Sequence, residues 1–290
     1  MFRKGFDLTM KKALALTMAL VLTLLCFAGC SGKKDDSAGN VNTDKLVILE
    51  EPLTTEPYGF ATKLGNDSLI QAINKELTAM LADGTIKSIF EKYDAPYTAP
   101  ESSDAAAEAT EASDDSLQKV LDAGKLVIAT SPDFPPFENL EDDGSIVGIE
   151  IDVLNLICEK LGVKLEIQQM DFDAILPGLA AGKYDLGVSG FTATDERKQS
   201  ALFTEPYCLA AISIVVPEGS AIKGKADLAG KAVSCQSGTT AENYCMANGI
   251  NYKSFAANND AEMALTTGKV EAWAIDDLTA AELVAAYNNK

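Results

Sequence analysis

From Lys125 onward the chain alternates short apolar runs with segments of helical period. "KLVIAT" (125–130) reads as a strand. "IEIDVLNLICEKLG" (149–162) places Ile151, Leu154, Ile157, Cys158 and Leu161 on one side and ends on Gly162, the pattern of an amphipathic helix with a glycine stop. "VKLEIQ" (163–168) is a second strand, and "FDAILPGLAAGKYD" (172–185) reads as a short helix interrupted by Pro177. "DLGVSG", "AISIVV", "KAVSCQ" and "EAWAID" supply further strands, with helices near 240–247 and 278–287. Such alternation predicts an α/β fold with mainly parallel sheets.

The earlier part of the chain is a smaller block. A strand at 45–50 and an extended run at 57–63 precede a helix that begins near Asp67 and carries Leu69, Ile70, Ile73, Leu77, Met80 and Leu81. "ADGT" breaks it. Thr85 is placed to cap the next helix, with Ile86, Ile89, Phe90 and Tyr93 facing inward. So short a block cannot bury these faces alone, so it must pack on the larger piece. Between the two lies "APESSDAAAEATEASDDS" (99–116), rich in Ala, Ser and acidic residues and lacking large apolar side chains, which reads as an unpacked linker.

Composition narrows the chemistry. The chain has 290 residues with 24 basic and 43 acidic side chains, a formal charge of −19. This argues against nucleic acid or an anionic membrane surface as the main partner. The sequence contains no histidine, which excludes histidine-based triads and histidine metal sites. No cofactor is indicated. Lys11 and Lys12 precede the apolar run "ALALTMALVLTLLCFAG" and then Cys30. A positive stretch followed by a short apolar run describes a signal peptide. "FAGC" resembles a bacterial lipobox, which implies cleavage before Cys30 and a lipid on its sulfur; an ordinary signal peptide is the alternative. Phe27 stands where leucine is usual. Residues 31–42 are polar and read as a flexible tether. Of the remaining cysteines, Cys158 falls on an apolar helix face, and a Cys235–Cys245 disulfide is left open, since sequence alone does not place their Cβ atoms.

The stretch from "KLVIATSPDFPPFENLEDDGSIVGIEIDVLNLICEKLG" to "SGFTATDERKQSALFTEPY", with "LAGKAVSCQSGTTAENYC" and "GKVEAWAIDD", closely resembles the family 3 solute-binding proteins. That resemblance implies a two-lobed type II periplasmic-binding-protein fold that delivers amino acids to an ABC importer. It also implies that "KLVILEEPLTTEPYGF" and its two helices normally come last, whereas here they come first. The chain therefore resembles a circular permutant: residues 43–56 in lobe 2, 57–98 as the helical part of lobe 1, 99–116 as linker, 117–209 as the main part of lobe 1 and 210–290 as that of lobe 2. Residues 1–29 would be the signal peptide and 30–42 the anchored tether. A linker of this length spans roughly 20–25 Å as a coil. Pairing of the pieces between molecules, and a product that does not fold, are the alternatives to a monomeric permutant.

The same resemblance assigns roles. Arg197 in "SGFTATDER" would bind the ligand carboxylate through two parallel hydrogen bonds. Gly190 would bring up a backbone N–H and Thr192 a hydroxyl. Gly238, Thr239 and Thr240 would present a helix N-terminus to the same carboxylate, with an N-cap as the alternative role of either threonine. Asp276 would accept the ammonium, Asp277 being the competitor. Phe134 and Phe172 would flank the ligand side chain, and Ser131, Glu138 and Gln236 would select it. Trp273 reads as packing under its strand. Ser131 stands where relatives with cationic ligands carry an acid, although Glu138 could substitute. The reading is a binding protein, not an enzyme, partnered by a free amino acid, a membrane permease and a lipid anchor. A dehydratase of the cyclohexadienyl type, with Glu138 or Asp133 as acid, and a non-transport sensor are the alternatives.

Overall fold

The computed structural model describes residues 42–100 and 112–290. The signal peptide, Cys30, nearly all of the tether and residues 101–111 of the linker lie outside the described residues. In chain order the first block contains β1 (Asn42–Ile48), β2 (Glu56–Tyr58), β3 (Ala61–Lys63), α1 (Asp67–Ala82) and α2 (Thr85–Lys92). The body continues with α3 (Ser116–Ala123), β4 (Lys125–Thr130), the small sheet β5 (Asp133–Phe134), β6 (Glu138–Leu140) and β7 (Ile146–Val147), then α4 (Ile149–Leu161), β8 (Lys164–Gln169), α5 (Phe172–Ala180) and β9 (Leu186–Gly187). After a 3₁₀ turn at Arg197–Gln199 come β10 (Ala201–Phe203), β11 (Cys208–Ala210), β12 (Ile212–Glu218), β13 (Ala232–Gln236), α6 (Thr240–Ala247), β14 (Asn251–Phe255), α7 (Asn258–Thr266), β15 (Ala272–Asp276) and α8 (Asp277–Asn288).

These elements form two lobes, each around a five-stranded mixed sheet. Lobe 1 has the order β10-β3-β9-β4-β8 and lobe 2 the order β1-β12-β15-β13-β14. The early block supplies β3 to the first sheet, antiparallel to both β9 and β10, and β1 to the edge of the second, antiparallel to β12. Between the lobes the chain crosses on β2 and again on β11, and these two strands pair antiparallel, Tyr58 opposite Cys208 and Glu56 opposite Ala210. The hinge ribbon is thus built from one strand of the early block and one of the body.

The helical periods explain the packing. Leu69, Ile70, Ile73, Leu77 and Met80 of α1 and Ile86, Ile89 and Phe90 of α2 are buried. All of these but Ile70 share one core with Leu126 and Ile128 of β4 and with Ile151, Leu154, Ile157 and Cys158 of α4. Lobe 2 buries Ile212, Ile214, Val233 and Cys235 on one side of its sheet and Leu46, Val215, Leu265 and the fully buried Trp273 on the other. The cysteines among the described residues, Cys158, Cys208, Cys235 and Cys245, are free buried thiols, so the Cys235–Cys245 pair is not a disulfide here.

Several local expectations are corrected. Thr85 does not cap α2: it is the first helical residue, after Gly84 in the left-handed conformation (φ 83°), and its N–H donates to Asp83 Oδ1 (2.9 Å). Pro177 does not interrupt α5, which runs through it to Ala180 at the cost of one intrahelical N–H donor. "DLGVSG" contributes only the two residues of β9. The end of the expected linker is packed. Asp114 accepts from the Ser68 N–H (2.7 Å) and Oγ (2.8 Å) and from the Ser116 N–H (2.9 Å), joining the starts of α1 and the unpredicted helix α3. The Ser116 hydroxyl also donates to Asp114 (2.5 Å) and is the foremost reason, ahead of the other bonds, that this carboxyl is held below its ordinary range.

Because α1 shares the core of the body, truncating it should destabilise the whole unit. Leu77 is fully buried, and Leu77→Ala is expected to cost about 2–5 kcal/mol. Urea unfolding checks this, and the loss should appear in one transition common to Trp273 fluorescence in lobe 2 and to far-ultraviolet circular dichroism.

Candidate functional site

The lobes meet over a narrow cavity lined by Phe134, Phe172, Ser189, Gly190 and Arg197 from lobe 1 and by Gln236, Thr239, Thr240, Ala241, Asn258, Ala274, Ile275 and Asp276 from lobe 2. Its volume is about 20 Å³, close to the room of a single water. A free amino acid would enter only if the lobes part. A second, outer cavity of about 600 Å³ lies on the lobe boundary, bordered by Ser131, Asp133, Asp171 and Asn259.

Arg197 is held at the start of the 3₁₀ turn that follows β9, and its side chain is buried. Nη1 donates to the Thr192 carbonyl (2.9 Å) and Nη2 to the Gly238 carbonyl of lobe 2 (2.9 Å). The guanidinium packs over Phe172 (5.5 Å) and Phe191 (5.2 Å), whose rings stack at 4.7 Å. Burial lowers its pKa to about 10, against the opposing pull of Glu56 and Glu196, so it carries its charge at neutral pH. On the other lobe Asp276 ends β15 and lines the same cavity. The Tyr58 hydroxyl, from the hinge ribbon, donates to its Oδ1. Burial, reinforced by the charges of Glu56 and Asp277, pushes the Asp276 carboxyl well above its ordinary range. Asp277 faces away: its carboxylate accepts from the N–H groups of Ala211 (3.2 Å) and Leu278 (2.9 Å).

The remaining expected residues divide. Phe134 and Phe172 line the cavity and are buried. Gly190 sits where a Cβ would meet the Phe134 ring at 2.6 Å, with φ 55°, so only glycine fits. Its N–H is not turned to the cavity but donates to Glu150 (3.2 and 3.3 Å). Thr192 donates its hydroxyl to Glu56. The Gly238 N–H donates to Glu242 (2.7 Å). Thr239 is the N-cap of α6, accepting from the Glu242 N–H (3.2 Å), while Thr240 opens the helix at the cavity. Ser131 lies at the outer cavity, donating to Asp133 Oδ1 (3.1 Å). Gln236 donates to the Ala256 carbonyl (3.0 Å) and accepts from Asn258 Nδ2 (3.2 Å). Glu138 lines neither cavity; it is fully buried behind the wall and accepts from the Ser189 hydroxyl (2.5 Å).

Sequence reading passed over Tyr58, Glu56, Asp133 as a lobe bridge, and Asn258. Glu56 is buried and also accepts from Thr54 Oγ1 (2.5 Å). Asp133 of lobe 1 accepts from the Asn258 N–H at the start of α7 (2.6 Å), a cap supplied across the cleft. The "EPYGF" motif carried Tyr58 and Glu56 in plain sight, but their contacts reach 218 and 136 residues along the chain.

A cation and a carboxyl facing one cavity between hinged lobes, with aromatic walls, define a ligand-binding cleft of the periplasmic-binding type. Residues 126–289 match the model for bacterial extracellular solute-binding proteins, family 3; the chain belongs to that family. It is 33% identical over 150 residues to the L-arginine-binding protein of Pseudomonas aeruginosa, covering 50% of this chain and 58% of that protein. It is 29% identical over 177 residues to the L-cystine-binding protein TcyJ of Escherichia coli, covering 60% of this chain and 66% of that one. The chain thus spans less than two thirds of the length of either relative. The arginine-bound, truncated ArgBP of T. maritima aligns with a TM-score of 0.56 at 38% identity, over 58% of this chain and 81% of that one. An ancestral amino acid-binding protein described as a precursor of cyclohexadienyl dehydratase gives 0.56 at 31% identity, over 59% and 78%.

A carboxyl whose folded pKa is raised makes the protein lose stability as pH climbs from the unfolded value, near 4, towards the folded one. Asp276→Asn should therefore remove a slope of about 1.4 kcal/mol per pH unit in that window and raise the melting temperature of the ligand-free protein at neutral pH. Calorimetric melting across a pH series checks both.

Proposed function

We propose that the chain binds a free amino acid in the cleft between its lobes and delivers it, outside the cytoplasm, to an ABC importer. The observation that carries this is the placement of Arg197 and Asp276 on one cavity, with Phe134 and Phe172 beside them. In this reading Arg197 exchanges its two carbonyl acceptors for the ligand carboxylate, a charge-assisted bidentate pair. Thr240 adds the N-terminus of α6. Asp276, ionised by the incoming charge, accepts the ammonium, with Tyr58 holding it in place. Closure excludes water, which strengthens each of these bonds.

The distal wall suggests the ligand class. Ser131, Gln236 and Asn258 present hydroxyl and amide groups, and Asp133 a carboxyl. Such a wall favours a side chain with hydrogen-bond donors, and the named relatives bind L-arginine and L-cystine. The enzyme reading has less behind it. Of its candidate acids, Glu138 is bonded to Ser189 behind the wall and Asp133 is taken up by Ser131 and the Asn258 N–H, and the relatives are named as binding proteins; product formation from prephenate or arogenate would revive it.

We also infer a circular permutant that acts as a monomer, anchored by lipid at Cys30. The family match spans 126–289 and leaves out the early block, yet that block contributes a strand to each sheet and half of the hinge. Among the described residues each element is present once, so one chain suffices for one cleft. The lipobox-like "FAGC" supports the anchor.

A thermal-shift screen of the common amino acids should give saturable stabilisation, strongest among those with polar or cationic side chains. Arg197→Ala should weaken the best ligand by about 2–5 kcal/mol while melting cooperatively; a screen without a hit, or unchanged affinity, overturns the assignment. Native mass spectrometry of the mature chain is expected to show a monomer, and a dimer would favour exchange of the early block between copies.

A further inference from the structure

Behind the cavity wall, lobe 1 encloses two carboxyl groups that ligand binding does not use. Glu138 on β6 and Glu150 in the first turn of α4 are both 0% exposed. Glu150 accepts from the Tyr207 hydroxyl (2.6 Å) and from the Gly190 N–H (3.2 and 3.3 Å). Glu138 Oε1 accepts from the Ser189 hydroxyl (2.5 Å). Its Oε2 is buried and meets no donor among the described residues. The two carboxyls take their donors from consecutive residues, Ser189 and Gly190, and Glu150 is the charged neighbour that acts most strongly on Glu138. The other titratable groups facing the pair are Asp133, Tyr207 and Cys208, none of them cationic.

Two carboxylates side by side in a dry space cannot both stay ionised. A carboxylic acid donating to a carboxylate resolves the conflict and satisfies the orphaned oxygen at once. Glu150, with two donors of its own, is the better-stabilised anion. Glu138 is the proton carrier. We propose that Glu138 and Glu150 share one proton and that this proton positions the Ser189–Gly190 turn, which forms the lobe 1 wall of the ligand cavity. Burial, and then the charge of Glu150, push the Glu138 carboxyl well above its ordinary range, which keeps the proton in place. Losing it as pH rises sets a second charge against Glu150. The repulsion loosens the acceptors of both Ser189 Oγ and Gly190 N–H. Ser189 Oγ also accepts from the Ser131 N–H (3.3 Å), so the effect reaches the distal wall.

This deepens the amino-acid-binding reading and rests on it only for what the turn contacts, so the test uses ligand-free protein. Amide exchange at Gly190, expressed as protection relative to the intrinsic rate, is followed over a pH series. In the wild type, protection should fall as pH rises, by about tenfold or more, the worth of one hydrogen bond to a charged group. In Glu138→Gln the amide donates permanently to Glu150, and protection should stay flat. Equal pH dependence in both, or a flat wild type, overturns the proposal. Should the variant not fold, carbon-13 NMR of the wild-type glutamate carboxyls decides: one protonated carboxyl at Glu138 at neutral pH supports the shared proton, and two ionised ones refute it.

Discussion

The fold depends on one short antiparallel ribbon. β2 and β11 are the places where the chain passes between lobes, and each satisfies the other's backbone. A single extended strand crossing a solvent-filled gap would leave its N–H and C=O groups to water and offer little resistance to bending in any direction. Two paired strands bend about one axis and resist shear. Because one partner comes from residues 56–58 and the other from 208–210, the hinge exists only when the early block has docked. The same pairing delivers Glu56 and Tyr58 to the cleft, so hinge and site are joined through adjacent residues.

The cleft is internally saturated. Arg197 already donates to two carbonyls, one on each lobe; Thr192, Gly190 and Gly238 already have carboxylate acceptors; Asp133 already caps α7 across the gap. Buried polar groups must be bonded, and in a shut cleft the lobes bond each other. Under the proposed function an entering zwitterion would exchange bonds rather than add them. Its net gain would come from replacing neutral carbonyl acceptors of Arg197 by a carboxylate, and from giving the desolvated Asp276 a countercharge. That pairing of opposite demands would favour molecules bearing both charges close together.

How much of this was legible depended on the range of the interaction. α1, α2 and α4 announced themselves because their large apolar residues recur at helical spacing. α7 did not, because its buried face is mostly Asn258, Ala261 and Ala264, small or polar residues that leave only Leu265 as a strong apolar mark. α3 was hidden by its merger with the acidic stretch, where the decisive contact, Asp114 with Ser68, spans 46 residues. Arg197 and Asp276 could be placed on the cavity from their motif contexts. The acceptors that occupy Gly190 and Thr192 could not, since Glu150 and Glu56 reach them from other elements. Glu138 shows the limit plainly: the family resemblance put it at the cleft, whereas its side chain turns inward.

Trp273 stands three residues before Asp276 on β15, sealed in the interior of lobe 2, and the sequence holds no other tryptophan. The molecule thus carries a built-in optical label on one lobe only. Rigid-body rocking would leave that indole's surroundings unchanged, so an emission shift on ligand addition would signal strain transmitted along the strand from Asp276 rather than the swing of the jaws.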